Sequence, residues 1–181
     1  MPALTNHPTS APDPKTERAY EHIRRAYGQR SRDATPLFRT LLVVADETGL
    51  EGALSCLERC VMEKRTAWLD EHLGHAERTG DPLCDGYHLF YEVYLGLSVP
   101  ADGTVVEQDE RQMVTRWWNR CRTLEACQAL GLDTRVICRL AYHGPVQAFL
   151  SRIEPRLRFD RNYDALRPHT PYCEEILFLV A

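Results

Sequence analysis

The sequence is poor in lysine and in long apolar runs. Only Lys15 and Lys64 are lysines among its 22 basic residues. The apolar runs near 41–45 and 176–181 are too short for a membrane-spanning helix, which needs about 20 residues. The net charge is −4, and phosphate binding usually needs a basic surface. We therefore expect neither a membrane nor a nucleic acid as a partner.

The common catalytic and nucleotide-binding motifs are also missing. The sequence contains no glycine-rich phosphate loop, no HExxH and no GxSxG, and none of its seven cysteines forms a CxxC pair. These absences argue against a kinase and against a dinucleotide-dependent enzyme. We expect an enzyme without a cofactor or a binding protein, with a small molecule as its partner.

The length of 181 residues suits one ordinary domain. Residues 1–14 carry four prolines among small polar residues and no apolar segment typical of a secretory leader. We expect a disordered or loose tail over 1–14 and a single domain over 15–181. An odd number of cysteines without a leader predicts a reducing, cytoplasmic location.

Hydrophobic periodicity predicts helices in the first half of the chain and a mixture of helices and strands in the second. Helices are predicted over about 16–27, 31–49, 51–73, 83–97, 123–130 and 133–153, the last kinked at Gly144–Pro145. Alternating residues predict strands over 104–108, 112–118, 157–162 and 173–180. Because helices and strands are segregated, we expect an α+β fold with a helical N-terminal half packed on a small antiparallel sheet of about four strands.

Cysteines on predicted helices fit core positions. Cys56 and Cys60 are four residues apart and share a helix face, which suits either a metal pair or a buried stripe. Free cysteine is among the most buried residue types, so the pattern favours packing. Cys127 and Cys138 also fit the inward positions of their helices.

A spaced pattern of cysteine, glycine and arginine runs through the C-terminal half. Its parts are Arg120-Cys121, Cys127, Gly131-Leu132, Cys138, Pro155-x-Leu157-x-Phe159, Arg161-Asn162-Tyr163 and Cys173-Glu174-Glu175. Over Asn119 to Phe178 this pattern resembles the L-2-amino-thiazoline-4-carboxylic acid hydrolase family. The resemblance implies hydrolysis at a C–N bond of a carboxylated cyclic amidine, which opens the ring to an N-carbamoyl cysteine. Such a role would suit bacterial specialised metabolism.

That chemistry needs a nucleophile or activated water, an acid, and a cation for the carboxylate. Cys173 is our first candidate for the nucleophile, since it lies where a proline-rich loop enters a strand. A reactive thiolate needs a nearby cation or histidine. His143 and His169 are candidates for the histidine, and Arg161 and Arg167 for the cation.

Strand alternation predicts which charged side chains point inward. Glu175 shares a strand face with Cys173, and Arg161 shares one with Phe159. A buried arginine needs a partner, either a substrate carboxylate or Glu175 on a neighbouring strand. Of these two partners, Glu175 is favoured, which predicts an internal ion pair between Arg161 and Glu175. We place Glu175 with the catalytic residues Cys173 and His143.

Further polar and aromatic residues are assigned to substrate binding: Arg161, Arg120, Tyr163, Asn119 and Trp118. Two alternatives stay open. Cys121, Cys138, His143 and Cys173 would suit zinc by residue type, although their spacings contain no tight ligand pair. A non-catalytic ligand-binding or sensor domain would use the same polar residues. A homodimer is compatible with either an enzyme or a ligand-binding domain.

Overall fold

The computed structural model describes residues 13–29 and 31–181. The predicted tail over 1–14 therefore lies outside the described residues, apart from Asp13 and Pro14. Pro14 begins the first helix, where its missing N–H is tolerated.

The N-terminal half is helical, as predicted. Helix α1 spans Pro14–Gly28 and α2 spans Thr35–His72, followed by a short 3₁₀ turn over Leu73–His75. The backbone of α2 leaves helical geometry at Gly49, with φ +75° and ψ 160°. Glycine adopts this conformation without the steric cost that a Cβ imposes. The predicted stop at Gly49 is therefore a break within α2, and both segments pack against α1 through buried residues such as Ile23, Phe38 and Leu57.

The helix predicted over 83–97 is present as far as Tyr94. Helix α3 spans Pro82–Tyr87 and continues as a wider π-helical turn over His88–Tyr94. The carboxylate of Asp81 caps α3 by accepting the backbone N–H groups of Leu83 and Cys84.

The C-terminal half contains four strands, three α-helices and one π-helical turn. They are β1 Gly103–Gln108, β2 Gln112–Trp117, α4 Arg122–Leu130, α5 Thr134–Ile137, a π-helical turn over Cys138–Tyr142, α6 His143–Ile153, β3 Leu157–Asn162 and β4 Cys173–Leu179. The strands form one antiparallel sheet in the order β1-β2-β4-β3. The predicted α+β fold, with its helical first half and four-stranded antiparallel sheet, is confirmed.

One face of the sheet packs on helices. Phe149 and Leu150 of α6 share a buried cluster with Leu157 and Phe159 of β3 and Leu177 of β4. Because side chains alternate along each strand, this inner face continues to Arg161 on β3 and to Glu175 on β4. The sheet therefore places charged residues at the end of an apolar core. Within residues 13–29 and 31–181, no helix combines the length and the apolarity needed to cross a membrane.

Candidate functional site

Three neighbouring strands bring polar side chains into register on the inner face. Glu175 of β4 lies opposite Thr115 of β2 and Arg161 of β3. The Nε of Arg161 donates to Oε1 of Glu175 at 2.8 Å, and its Nη2 donates to the same oxygen. The Arg161 and Glu175 side chains are only 9% and 10% exposed. The internal ion pair expected from strand alternation is therefore present.

The second oxygen of Glu175 is held by a residue that sequence reasoning missed. The hydroxyl of Tyr91 donates to Oε2 of Glu175 at 2.7 Å. The Tyr91 ring stacks on Trp117 at 4.7 Å between centroids, and Trp117 Nε1 donates to the Thr115 hydroxyl at 2.9 Å. Tyr91 lies in the π-helical turn after α3, so its approach to β4 depends on tertiary packing and has no sequence signal.

Arg161 keeps one donor without a partner. Burial by itself lowers the pKa of this guanidinium, but the charge of Glu175 and its hydrogen bonds more than offset that effect, and the pKa is raised overall. Arg161 is thus a permanent cation. Its Nη1 is buried and finds no hydrogen-bond partner among the described residues. A buried donor left unpaired is costly, and a ligand carboxylate would satisfy it.

His143 and Tyr163, both predicted site residues, lie next to this ion pair. The Nδ1 of His143 lies 3.1 Å from the Tyr163 hydroxyl, and the guanidinium of Arg139 lies over the Tyr163 ring at 4.3 Å. Burial and then the charge of Arg161 lower the pKa of His143 below its ordinary value. The imidazole is therefore neutral at neutral pH, with Nε2 left as the nitrogen not engaged by Tyr163.

The backbone of Gly144, next to His143, lies close to a side chain of α2. A Cβ at Gly144 would lie 2.3 Å from Oε1 of Glu58, so the flexible Glu58 side chain would have to move aside. The helix changes at this point from the π-helical turn to α6, close to the predicted kink at Gly144–Pro145. Glu58 thus brings α2 close to the backbone beside His143, an approach that sequence reasoning did not anticipate.

Cys173 is the first residue of β4 and is half-buried. Its Sγ accepts a hydrogen bond from Nε of Arg167 at 3.4 Å, and Nη1 of Arg167 donates to the carbonyl of Asn119 at 2.7 Å. An arginine beside the thiol was expected, and Arg167 supplies it. Among the described residues, neither His143 nor His169 hydrogen-bonds to this sulfur.

The thiols of Cys121 and Cys138 also lie near Cys173, but they are poorly suited to act as nucleophiles. The Sγ of Cys121 caps α4 by accepting the Leu124 N–H at 3.4 Å. Burial raises the pKa of Cys121, and it raises that of Cys138 to about 12. Both thiols are therefore protonated at neutral pH, which makes them poor nucleophiles.

The described residues contain no preformed set of zinc ligands. In the described part of the chain, no three or more His, Cys, Asp or Glu side chains are arranged to hold a metal ion. Cys121 and Cys173 are instead held by a backbone N–H and by an arginine.

The structure does not bring Arg120 or Trp118 into the cluster. Arg120 is exposed and forms a two-pronged ion pair with Glu125. Trp118 is 43% exposed and donates to the carbonyl of Ala101. Strand β2 ends at Trp117, so the chain turns outward just before these residues. Asn119 reaches the cluster only through its backbone carbonyl.

Two cavities lie away from this cluster. One of about 480 Å³ is bounded by the end of α1, the start of α2 and the start of α4. The other, of about 320 Å³, lies between the end of α2 and the turn after α3, beside Trp68, His72 and His88. Neither is lined by Cys173 or Arg161.

No protein-family model, curated protein or solved structure matches the chain. The fold and the site therefore define the class of molecule: an α+β protein with a buried, partly unsatisfied arginine and an arginine-bound cysteine at one end of the inner sheet face.

Proposed function

We propose that the protein is a small-molecule hydrolase, or a related ring-opening or ring-closing enzyme, for a carboxylated cyclic amidine of the thiazoline type. The observation that carries this proposal is the buried Nη1 of Arg161, which has no partner among the described residues. Arg161 would bind the substrate carboxylate, since a guanidinium matches that group in charge and shape.

The spacing of the cluster supports a substrate of this size. Cys173 and Glu175 are two residues apart on one strand face, which separates them by about 7 Å along the strand. Arg161 lies directly across from Glu175. A five-membered ring with one carboxylate would span from Arg161 towards the Cys173 sulfur.

In the proposed reaction, the Cys173 thiolate, stabilised by Arg167, adds to the amidine carbon. The electron pair of the C=N bond moves to the ring nitrogen, which takes a proton. Collapse breaks the ring C–S bond, and the departing sulfur is protonated. Water then adds to the same carbon and expels the Cys173 thiolate, leaving an N-carbamoyl cysteine. One water is consumed overall. Both nitrogens stay on the carbon, so the bond broken in this scheme is the ring C–S bond and not the C–N bond that the resemblance implied.

The neighbouring residues take distinct roles in this scheme. His143 is neutral because burial lowers its pKa, so its Nε2 is available as a base for the attacking water. Glu175 accepts hydrogen bonds from both Arg161 and Tyr91, so it acts as a positioning residue for Arg161. This assignment replaces a directly catalytic role for Glu175.

A second candidate is a ligand-binding domain without chemistry. The same unpaired Arg161 donor favours it, since holding a carboxylate needs no nucleophile. The two candidates differ in what Cys173 contributes.

The test uses purified protein with 2-amino-thiazoline-4-carboxylate. Thiol release and N-carbamoyl cysteine are followed by a chromogenic disulfide and by mass spectrometry, and binding by calorimetry. We expect Cys173→Ser to lose turnover but keep binding, and Arg161→Gln to lose binding. The matched control is Cys84→Ser on α3, whose thiol contacts Gln108 away from the cluster.

Wild-type turnover in Cys173→Ser would overturn the nucleophile assignment. Binding without turnover in the wild-type protein would favour the ligand-binding candidate. Neither binding nor turnover would overturn the proposed substrate class.

A further inference from the structure

The 480 Å³ cavity is large enough for a small organic molecule and takes no part in the proposed hydrolysis. Most of its wall is helical: Tyr27 comes from α1, Lys64 from α2, and Arg122 and Thr123 from the first turn of α4. Tyr142, at the end of the π-helical turn, completes the wall.

The charge of this wall is strongly positive. Among the described residues that line the cavity, Arg32, Lys64 and Arg122 are basic and Asp33 is acidic. Asp33 is already engaged, because its Oδ1 accepts the Thr35 N–H at 2.8 Å. Within the described residues none of the three cations forms an ion pair. The cations of the wall therefore outnumber its anion. Arg122 also donates from Nη1 to the carbonyl of Ser31, and Nζ of Lys64 lies 5.3 Å from the centre of the Tyr27 ring.

Two phenols add hydrogen-bond donors to the wall. The Thr123 hydroxyl donates to the Tyr142 oxygen at 3.2 Å, which leaves the hydrogen of Tyr142 free to donate elsewhere. Burial raises the pKa of Tyr27 to about 12 and raises that of Tyr142 as well. Both phenols are neutral at physiological pH. A ligand rich in acceptor oxygens would satisfy them.

A further cation lies behind this wall. Arg65 is only 9% exposed, and its Nε and Nη1 are buried without a partner among the described residues. Its guanidinium lies 5.2 Å from the centre of the Phe90 ring and 5.9 Å from that of Tyr94. Tyr27 and Tyr142 are close enough to Arg65 to affect its pKa. A buried charge without a carboxylate adds positive potential where screening by water is weak.

We propose that this cavity binds a small organic anion with a carboxylate or phosphate head and an apolar body. Lys64, Arg122 and the Tyr142 hydroxyl would hold the head, and the body would lie against Leu37 and Ala26. This site is separate from the proposed hydrolase site and does not depend on it.

Calorimetry with phenyl phosphate and with phthalate, at matched ionic strength, tests the proposal and tells the two head groups apart. We expect saturable binding of at least one of them, and none of benzyl alcohol, which is similar in size but neutral. Lys64→Gln and Arg122→Gln should each weaken binding about tenfold, as expected for a charge-assisted hydrogen bond. Tyr142→Phe should weaken it by a smaller factor.

Two controls locate the ligand. Arg111→Gln removes an exposed charge from the β1–β2 turn and should leave the Kd unchanged. Cys173→Ser should also leave it unchanged, whether or not the hydrolase proposal holds. The proposal is overturned if neither anion binds, if Arg111→Gln weakens binding as much as Lys64→Gln, or if Arg161→Gln abolishes binding while Lys64→Gln does not.

Discussion

Arg161 and Arg65 are both almost fully buried, yet they have opposite surroundings. Arg161 lies on a strand and meets Glu175 on the adjacent strand. Arg65 lies on α2 between aromatic rings, and no carboxylate pairs with it in the described part of the chain. The pKa of Arg161 is raised despite its burial, whereas burial lowers that of Arg65.

This difference shows two ways of using a buried cation. A carboxylate partner fixes the orientation of Arg161 and leaves one donor to point at a ligand. Aromatic faces stabilise Arg65 only weakly, so its charge is available to act at a distance. The first arrangement is suited to holding a substrate in one geometry, and the second to raising the potential of a nearby cavity.

The largest effect should come from removing the partner of Arg161. Glu175→Gln leaves a buried guanidinium without its counter-charge, which should lower the free energy of unfolding by about 3 kcal/mol. Urea unfolding followed by circular dichroism measures it. The double variant Glu175→Leu/Arg161→Met should recover most of the loss. A decrease below about 1 kcal/mol in the single variant would show that the pair contributes little.

Arg65→Met should behave differently. It removes a buried charge that has no partner, so relief of the desolvation cost should offset the lost contact with the rings. We expect the free energy of unfolding to change by no more than about 1 kcal/mol. Arg161→Met, measured in the same way, should cost more because it leaves Glu175 unpaired. Equal losses of unfolding free energy in Arg65→Met and Arg161→Met would contradict the expected difference between the two buried arginines.

His143 should make a smaller, pH-dependent contribution. Its pKa is lower in the folded protein than in the unfolded chain, where it is about 6.5. The associated stability is therefore complete above that value and is lost as pH falls through the folded pKa. Between pH 7.5 and 5.5 the wild-type protein should lose more stability in urea titrations than His143→Gln. Equal losses of stability in the wild-type protein and in His143→Gln would contradict a lowered pKa for His143.

Arg120 should give the smallest effect. Its ion pair with Glu125 is exposed on both sides, and such pairs contribute little. Arg120→Gln should leave both the urea midpoint and the binding of a thiazoline carboxylate unchanged. A loss of binding in this variant would show that Arg120 contributes to the proposed substrate site and does more than form a surface ion pair.

Local patterns in the sequence were sufficient to predict the strands and most of the helices. They also predicted one contact between strands, the ion pair of Arg161 with Glu175. Period-two alternation predicted the four strands, and it placed Arg161 and Glu175 inward, because a pleated strand turns successive side chains to opposite faces. Gly49 lies at a break within α2 and Gly131 follows the last residue of α4, and both glycines have positive φ. The ion pair then followed from placing the two strands side by side.

Other parts of the site had no local signal. Tyr91 reaches Glu175 across 84 positions of sequence, and Glu58 of α2 approaches Gly144. Arg120 and Trp118 were assigned to the site from residue type, but β2 ends at Trp117 and leaves them on the surface. A residue's type states what it can bind, whereas its contacts depend on how whole elements pack.

The sequence by itself thus determined the class of fold and the inward strand faces, because these depend on spacing within one element. Only the tertiary structure decided that Arg167 and not Arg161 contacts the Cys173 thiol, that Tyr91 holds Glu175, and that Arg65 has no ion-pair partner among the described residues. The contacts of Tyr91 with Glu175 and of Arg65 with Phe90 join residues that are distant in the chain. They form only when α2, the turn after α3 and the sheet close on one another.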